Sequence, residues 1–164
     1  MAKIIDGKLI SQEIKDELKE KIKQLRDNGT EVSLAVIQVG NDPASSVYVN
    51  NKKKACEYIG IHSVAYEMPE ETTQEELVLL IEELNEDKSI NGILVQLPLP
   101  AQINENKIIQ KINPIKDVDG FHPQNVGALC IGQPGFVSCT PAGVIQLLKR
   151  SGIDIQGKEC VIVG

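Results

Sequence analysis

Apolar residues recur at Ile10, Ile14, Leu18, Ile22 and Leu25, a helical spacing that Asn28-Gly29 brings to a stop. The period then changes. Ser33 to Gly40 is short, β-branched and largely apolar, the pattern of a buried strand. Asp42-Pro43 reads as an N-cap with proline at the first helical position, and Gly60 as a stop, so Ala44 to Ile59 predicts a helix. His62 to Met68 predicts a short strand. Thr72-Thr73-Gln74-Glu75 fits a capping box ahead of the stripe Leu77, Leu80, Ile81 and Leu84. Asn91-Gly92 leads into a second buried strand, Ile93-Leu94-Val95-Gln96-Leu97, which Pro98 and Pro100 end. Asn104 caps a short helix through Ile112. Residues 113–135 are rich in proline and glycine and read as loops. Thr140-Pro141 opens a helix with Val144, Ile145, Leu147 and Leu148 on its apolar face, and Gly152 stops it. Cys160-Val161-Ile162-Val163 is read as an apolar strand running into Gly164.

Strands alternating with helices predict an α/β fold, a largely parallel sheet with helices on both faces. Composition narrows the functional classes. The 164 residues carry a formal net charge of −6 and only 3% aromatics, with no Trp. That balance argues against nucleic acid as a partner, since neither a basic footprint nor stacking platforms are present. No apolar run reaches membrane-spanning length, so no membrane partner is expected. Met1-Ala2-Lys3-Ile4-Ile5-Asp6 turns polar too soon for a signal peptide. Cys56, Cys130, Cys139 and Cys160 are far apart, which suggests reduced thiols in the cytoplasm rather than a disulfide framework or zinc site. His62 and His122 have no neighbours of ligand type in the sequence, and no metal is expected.

Three segments could carry chemistry. Tyr48 and Lys52 lie four apart and share a helix face, just after a strand ending at Gly40. Open α/β sheets bind ligands at such carboxyl strand ends. Spacing alone equally allows an amphipathic tyrosine and a solvated lysine beside Lys53 and Lys54. Gln96 is a polar amide at the end of an apolar strand, either a satisfied structural residue or one that meets the Lys52 helix at the same sheet end. Lys116-Asp117-Val118-Asp119-Gly120-Phe121-His122-Pro123 reads as an Asx-rich turn or as a rigid ligand-gripping loop.

Together these segments resemble a known family. Tyr48-Val49-Asn50-Asn51-Lys52-Lys53-Lys54-Ala55-Cys56, Gly92 to Pro100, Lys116 to Pro123, Cys139-Thr140-Pro141-Ala142-Gly143 and Gly157-Lys158 to Gly164 are similar, in order, to the signature blocks of methylenetetrahydrofolate dehydrogenase/cyclohydrolases. The resemblance implies a folate-binding catalytic domain over residues 1–139, of the build seen in amino-acid dehydrogenases. Residues 140–164 would then be a linker helix and the first strand of a Rossmann-type domain. It also implies a homodimer, a tetrahydrofolate derivative as substrate and NADP as cofactor, with Thr140 and Gly164 on the cofactor side and most of that site beyond Gly164. On that basis the 164 residues alone are expected to bind folate but not to transfer hydride. Lys52 takes the part of the catalytic lysine, with Tyr48, Gln96 and Asp119 around it. The substrate-binding set is Tyr48, Val49, Asn50, Asn51, Lys52, Val95, Gln96, Leu97 and Asp119.

Chemistry supports those parts. A methenyl cation repels a protonated lysine and so favours the neutral amine, which can help deprotonate an attacking water. Gln96 is expected to donate an amide N–H to the amine lone pair, and Asp119 to accept from the pterin's N–H groups. Two readings from other classes are a folate-binding module without turnover and another two-domain dehydrogenase, of the shikimate or amino-acid type.

Overall fold

The computed structural model describes residues 4–163, the side chain of Ala44 excepted. Its elements are α1 (Gly7–Asp27), β1 (Ser33–Val39), α2 (Pro43–Ile59), β2 (His62–Met68), α3 (Gln74–Glu86), β3 (Gly92–Val95), α4 (Glu105–Lys111), α5 (Pro123–Cys130) and α6 (Cys139–Arg150). The strands form one parallel sheet in the order β2-β1-β3. This is the α/β architecture that the alternating pattern predicts.

Local chemistry accounts for most boundaries. Asp6 accepts from the Lys8 and Leu9 amides to start α1. Asp42 caps α2 through the Ser45 amide with Pro43 in the first turn, and Gly60 ends that helix at a φ of 89°. The capping box of α3 sits one residue later than the sequence suggests. Thr73, not Thr72, is the N-cap, and Glu76 returns the bond. Thr72 is instead buried.

The core lies on both faces of the sheet. Ala35, Ile37, Val39, Ile93 and Val95 pack against Leu77, Ile81 and Leu84 of α3 and Ile108 of α4. Val36 and Leu94 face the other way and pack with Val49 of α2. Alternation along β1 and β3 thus deals successive residues to opposite helical layers.

Three expectations need correction. Residues 123–130, read as loop, form α5: His122 Nδ1 accepts from the Gln124 amide at 3.1 Å and Pro123 takes the first turn. This is the start chemistry already met at Asp42-Pro43, hidden in a short segment with Gly127 inside it. β3 is assigned only to Val95, although the Gln96 amide still donates to the Ile37 carbonyl at 2.8 Å. The apolar stretch Cys160–Val163 forms no strand: Val161, Ile162 and Val163 are exposed, and no strand among the described residues lies beside them. A β-strand is defined by its partner, so composition alone does not make one.

Leu77 is fully buried between α3 and the sheet. Leu77→Ala should lower stability by about 2–5 kcal/mol. A urea titration should show an earlier midpoint with an unchanged slope.

Candidate active site

On α2 the residues turned inward are Ser45, Val49, Cys56 and Ile59, all buried, and Lys52 falls on the same stripe. A lysine on a helix's inward face is exceptional, because burying an ammonium among apolar groups is costly. It is tolerated because Lys52 lies past the end of the strands. There its Nζ donates to Gln96 Oε1 at 3.1 Å. Gln96 reaches this spot by alternation: it follows Leu94 on the α2 face of the extended β3 ladder.

The direction of that bond corrects the expectation. Gln96 does not donate to the lysine. Its Nε2 is committed to the neighbouring Leu97 carbonyl at 2.7 Å, which leaves Oε1 as the group facing the amine. The amine is the donor, so a lone pair on a neutral Lys52 would remain available to other groups.

The third component arrives on a loop. The Ile93 amide donates to the Lys116 carbonyl at 2.7 Å, and Ile93 forms a parallel bridge with Asp117, so the loop extends the open edge of β3. Lys116 Nζ donates to the carbonyls of Leu84 and Asp87 at the end of α3. Val118 packs on the Val36–Val49–Leu94 cluster. Its Cγ1 would lie 2.5 Å from a Cβ at residue 92, so Gly92 is needed for this approach. Gly120 has a φ of 66° and a side chain there would meet Ser138 N at 2.9 Å and Phe136 O at 3.0 Å.

Asp119, between these two anchors, is half-buried and within the field of Lys52. Burial raises its carboxyl above the usual range, the Lys52 charge lowers it, and the neighbouring Asp117 charge raises it again. The net shift is upward. No hydrogen bond to its carboxylate comes from the described residues, so its acceptor capacity is open.

Other sequence-derived positions are scattered around this centre. Tyr48 is 63% exposed one turn before Lys52. Val49 spends its side chain in the core, whereas Asn50 and Asn51 are exposed. Val95 is buried and Leu97 half-buried. Thr140 is exposed at the start of α6, and Gly164 lies outside the described residues. Sequence reasoning missed Asp117 as a separate element: it is 1% exposed and serves the loop, not the cleft. Asn125, which holds it, was missed too, because it sits on the helix read as loop. Among the described residues no His, Cys, Asp and Glu cluster could hold a metal ion, and no helix is long and apolar enough to cross a membrane.

A parallel sheet with an amine and a partly buried carboxylate near its carboxyl edge is the arrangement in which open α/β domains bind small molecules. Residues 5–119 match the family described as tetrahydrofolate dehydrogenase/cyclohydrolase, catalytic domain. The chain is 68% identical over 164 residues to the bifunctional protein FolD of Agathobacter rectalis, covering all of this chain and 59% of that protein. Its fold is similar to the bifunctional FolD methylenetetrahydrofolate dehydrogenase/cyclohydrolase of Campylobacter jejuni, with a TM-score of 0.93 at 54% identity over 95% of this chain and 56% of the other. A Trypanosoma brucei methylenetetrahydrofolate dehydrogenase-cyclohydrolase, solved with NADP cofactor and an inhibitor, gives a TM-score of 0.90 at 38% identity, over 96% and 54% of the two chains. This chain belongs to the tetrahydrofolate dehydrogenase/cyclohydrolase family, and it spans little more than half the length of the relatives it matches.

The raised carboxyl has a consequence for stability. A folded-state pKa above the unfolded one means that the folded chain holds the proton more tightly. Stability therefore falls as pH rises from the ordinary Asp value through the raised one. Above that window the ionised Asp119 is a standing cost. Asp119→Asn should consequently melt higher than the parent near neutral pH. The gap should close once the pH drops below about 3.9, where both states of the parent are protonated.

Proposed function

We propose that this chain is the folate-binding catalytic part of a bifunctional enzyme of one-carbon metabolism. The whole protein oxidises 5,10-methylenetetrahydrofolate to the 5,10-methenyl form, passing hydride to NADP, and hydrolyses that product to 10-formyltetrahydrofolate. The observation that carries the reading is the Lys52 amine, held 3.1 Å from Gln96 Oε1 beyond the end of β3, with the unengaged Asp119 carboxylate opposite.

The hydrolytic half follows from these groups. Asp119 accepts from the pterin's amino and ring N–H groups, a charge-assisted contact that fixes the ring. Tyr48 lies along the aminobenzoyl group, its flat face supplying area and its hydroxyl a link to water. Val49, Asn50 and Asn51 form the same stretch of helix wall, and the backbone around Val95 and Leu97 closes the floor. The methenyl cation favours a neutral Lys52 beside it. That amine donates one N–H to Gln96 and keeps its lone pair for the attacking water. Water oxygen bonds to the methenyl carbon as Lys52 takes one proton. The second water proton moves to N5 as the carbon–N5 bond breaks, leaving the formyl group on N10. The proton on Lys52 is then released to solvent.

Most of the dinucleotide site is expected beyond Gly164. Residues 160–163 pair with no strand, and Thr140 is the one described residue assigned to that side. NADP is accordingly part of the proposal for the whole protein, supported by the Trypanosoma brucei relative solved with that cofactor, and the division near residue 139 is part of the same proposal. A cytoplasmic homodimer belongs to the same reading, and the four free thiols are in keeping with a reducing compartment.

Two substitutions test these roles. Lys52→Met in the full-length protein should abolish methenyltetrahydrofolate hydrolysis while circular dichroism keeps the parent fold and melting does not fall; hydrolysis near the parent rate would remove Lys52 from the mechanism. Asp119→Ala should weaken tetrahydrofolate binding by about 1.5–3 kcal/mol, as loss of a charged hydrogen bond does. Calorimetry showing parent affinity would leave the loop a structural turn.

A further inference from the structure

Asp117 forms no ion pair among the described residues although it is 1% exposed. Its Oδ2 accepts from the His122 amide and from Asn125 Nδ2, both at 2.8 Å. Asn125 is itself buried, and every hydrogen-bonding group of its amide has a partner. The second N–H of Nδ2 donates to the Pro114 carbonyl at 2.9 Å, and Oδ1 accepts from the Phe136 amide at 3.3 Å. One side chain on α5 thus ties together the chain before the loop, the loop itself and the segment after α5.

Asp119 lies on the loop that this side chain braces. Two residues before it stands Asp117, held by Asn125. One residue after it stands Gly120, seated on the backbone of residues 136–138. The Phe136 amide that Asn125 accepts from begins that same seat. Asn125 therefore acts on the supports at both sides of Asp119, alongside the His122 amide on Asp117 and the Val118 side chain in the core. The Asp117 carboxylate also lies close enough to act on Asp119 through its charge.

We infer that Asn125 is a positioning residue for substrate: through Asp117 and the Phe136 seat, it sets where the Asp119 carboxylate stands for the pterin opposite Lys52. This rests on the folate reading above. Removing Asn125 would leave a buried carboxylate with one donor fewer and loosen the loop on both sides of Asp119, with the Val118 contact and the His122 amide still in place. A displaced Asp119 loses the pterin before Lys52 is disturbed, because Lys52 is held independently by Gln96.

The test is a double-mutant cycle in the full-length protein, with tetrahydrofolate affinity read by calorimetry, methenyltetrahydrofolate hydrolysis by absorbance, and melting temperature recorded throughout. Asn125→Ala should raise the Kd about tenfold. It should raise KM while kcat stays within about twofold, the pattern of lost uniform binding. In an Asp119→Ala background the same substitution should change Kd by less than about twofold, because its route to the ligand is gone. A general loss of structure would instead weaken binding equally in both backgrounds, and that result overturns the inference, as does parent affinity for Asn125→Ala. Asn125→Ser, which retains one hydrogen-bonding group, carries the same cycle if the alanine variant does not fold. Unchanged affinity on Asp119→Ala alone removes Asp119 as the anchor of the pterin and overturns the inference with it, whereas a full-length parent that binds no tetrahydrofolate overturns the folate reading itself.

Discussion

The register between β1 and β3 runs from Leu34 opposite Gly92 to Ile37 opposite Val95, and the Gln96 amide carries the ladder one bond further to Ile37. Because side chains alternate along a strand, this register decides which helical layer each residue meets. It sends Ile93 and Val95 to α3 and α4, and Leu94 and Gln96 to α2. A slip of one residue would bury Gln96 among Leu77 and Ile81, and leave Lys52 without its acceptor. The same pairing leaves the far edge of β3 open to the Lys116–Asp117 backbone. The amine, the amide and the carboxylate are thus brought together by a single strand and its two neighbours.

The polar groups at this sheet end come at the expense of stability. Lys52 is partly buried on the inward stripe of α2 at the end of the strands, and Asp119 is partly buried with no hydrogen-bond donor among the described residues. Burial raises the Asp119 carboxyl and the lysine opposite only partly offsets it. Local inconsistency of this kind, inside elements otherwise consistent from caps to core, is the physical mark of a site shaped for a ligand. Asp117 shows the contrast. It is more deeply buried than Asp119, but its Oδ2 accepts two N–H donors, so it serves as a structural pin.

Much of this was legible in the amino-acid sequence. Asp42-Pro43 and Gly60 bounded α2 because capping and helix termination are settled by a few adjacent residues. The runs at Ser33 and Ile93 announced strands because burial on both faces demands nearly continuous apolar side chains. The spacing of Tyr48 and Lys52, Gln96 at its strand end and the paired aspartates pointed to candidate chemistry, of which the structure brings Lys52 to Gln96.

Tertiary structure alone decided the rest, since each remaining feature depends on a partner distant in sequence. Whether Lys52 was a solvated charge or an inward one turned on the sheet beneath α2. Which atom of Gln96 faced it turned on the Leu97 carbonyl claiming the amide N–H. Asp117 and Asp119, two residues apart and alike in the sequence, were separated into pin and open acceptor by Asn125 on α5. Cys160 to Val163 have a strand's composition yet form none, because a strand requires a neighbour and composition cannot supply one.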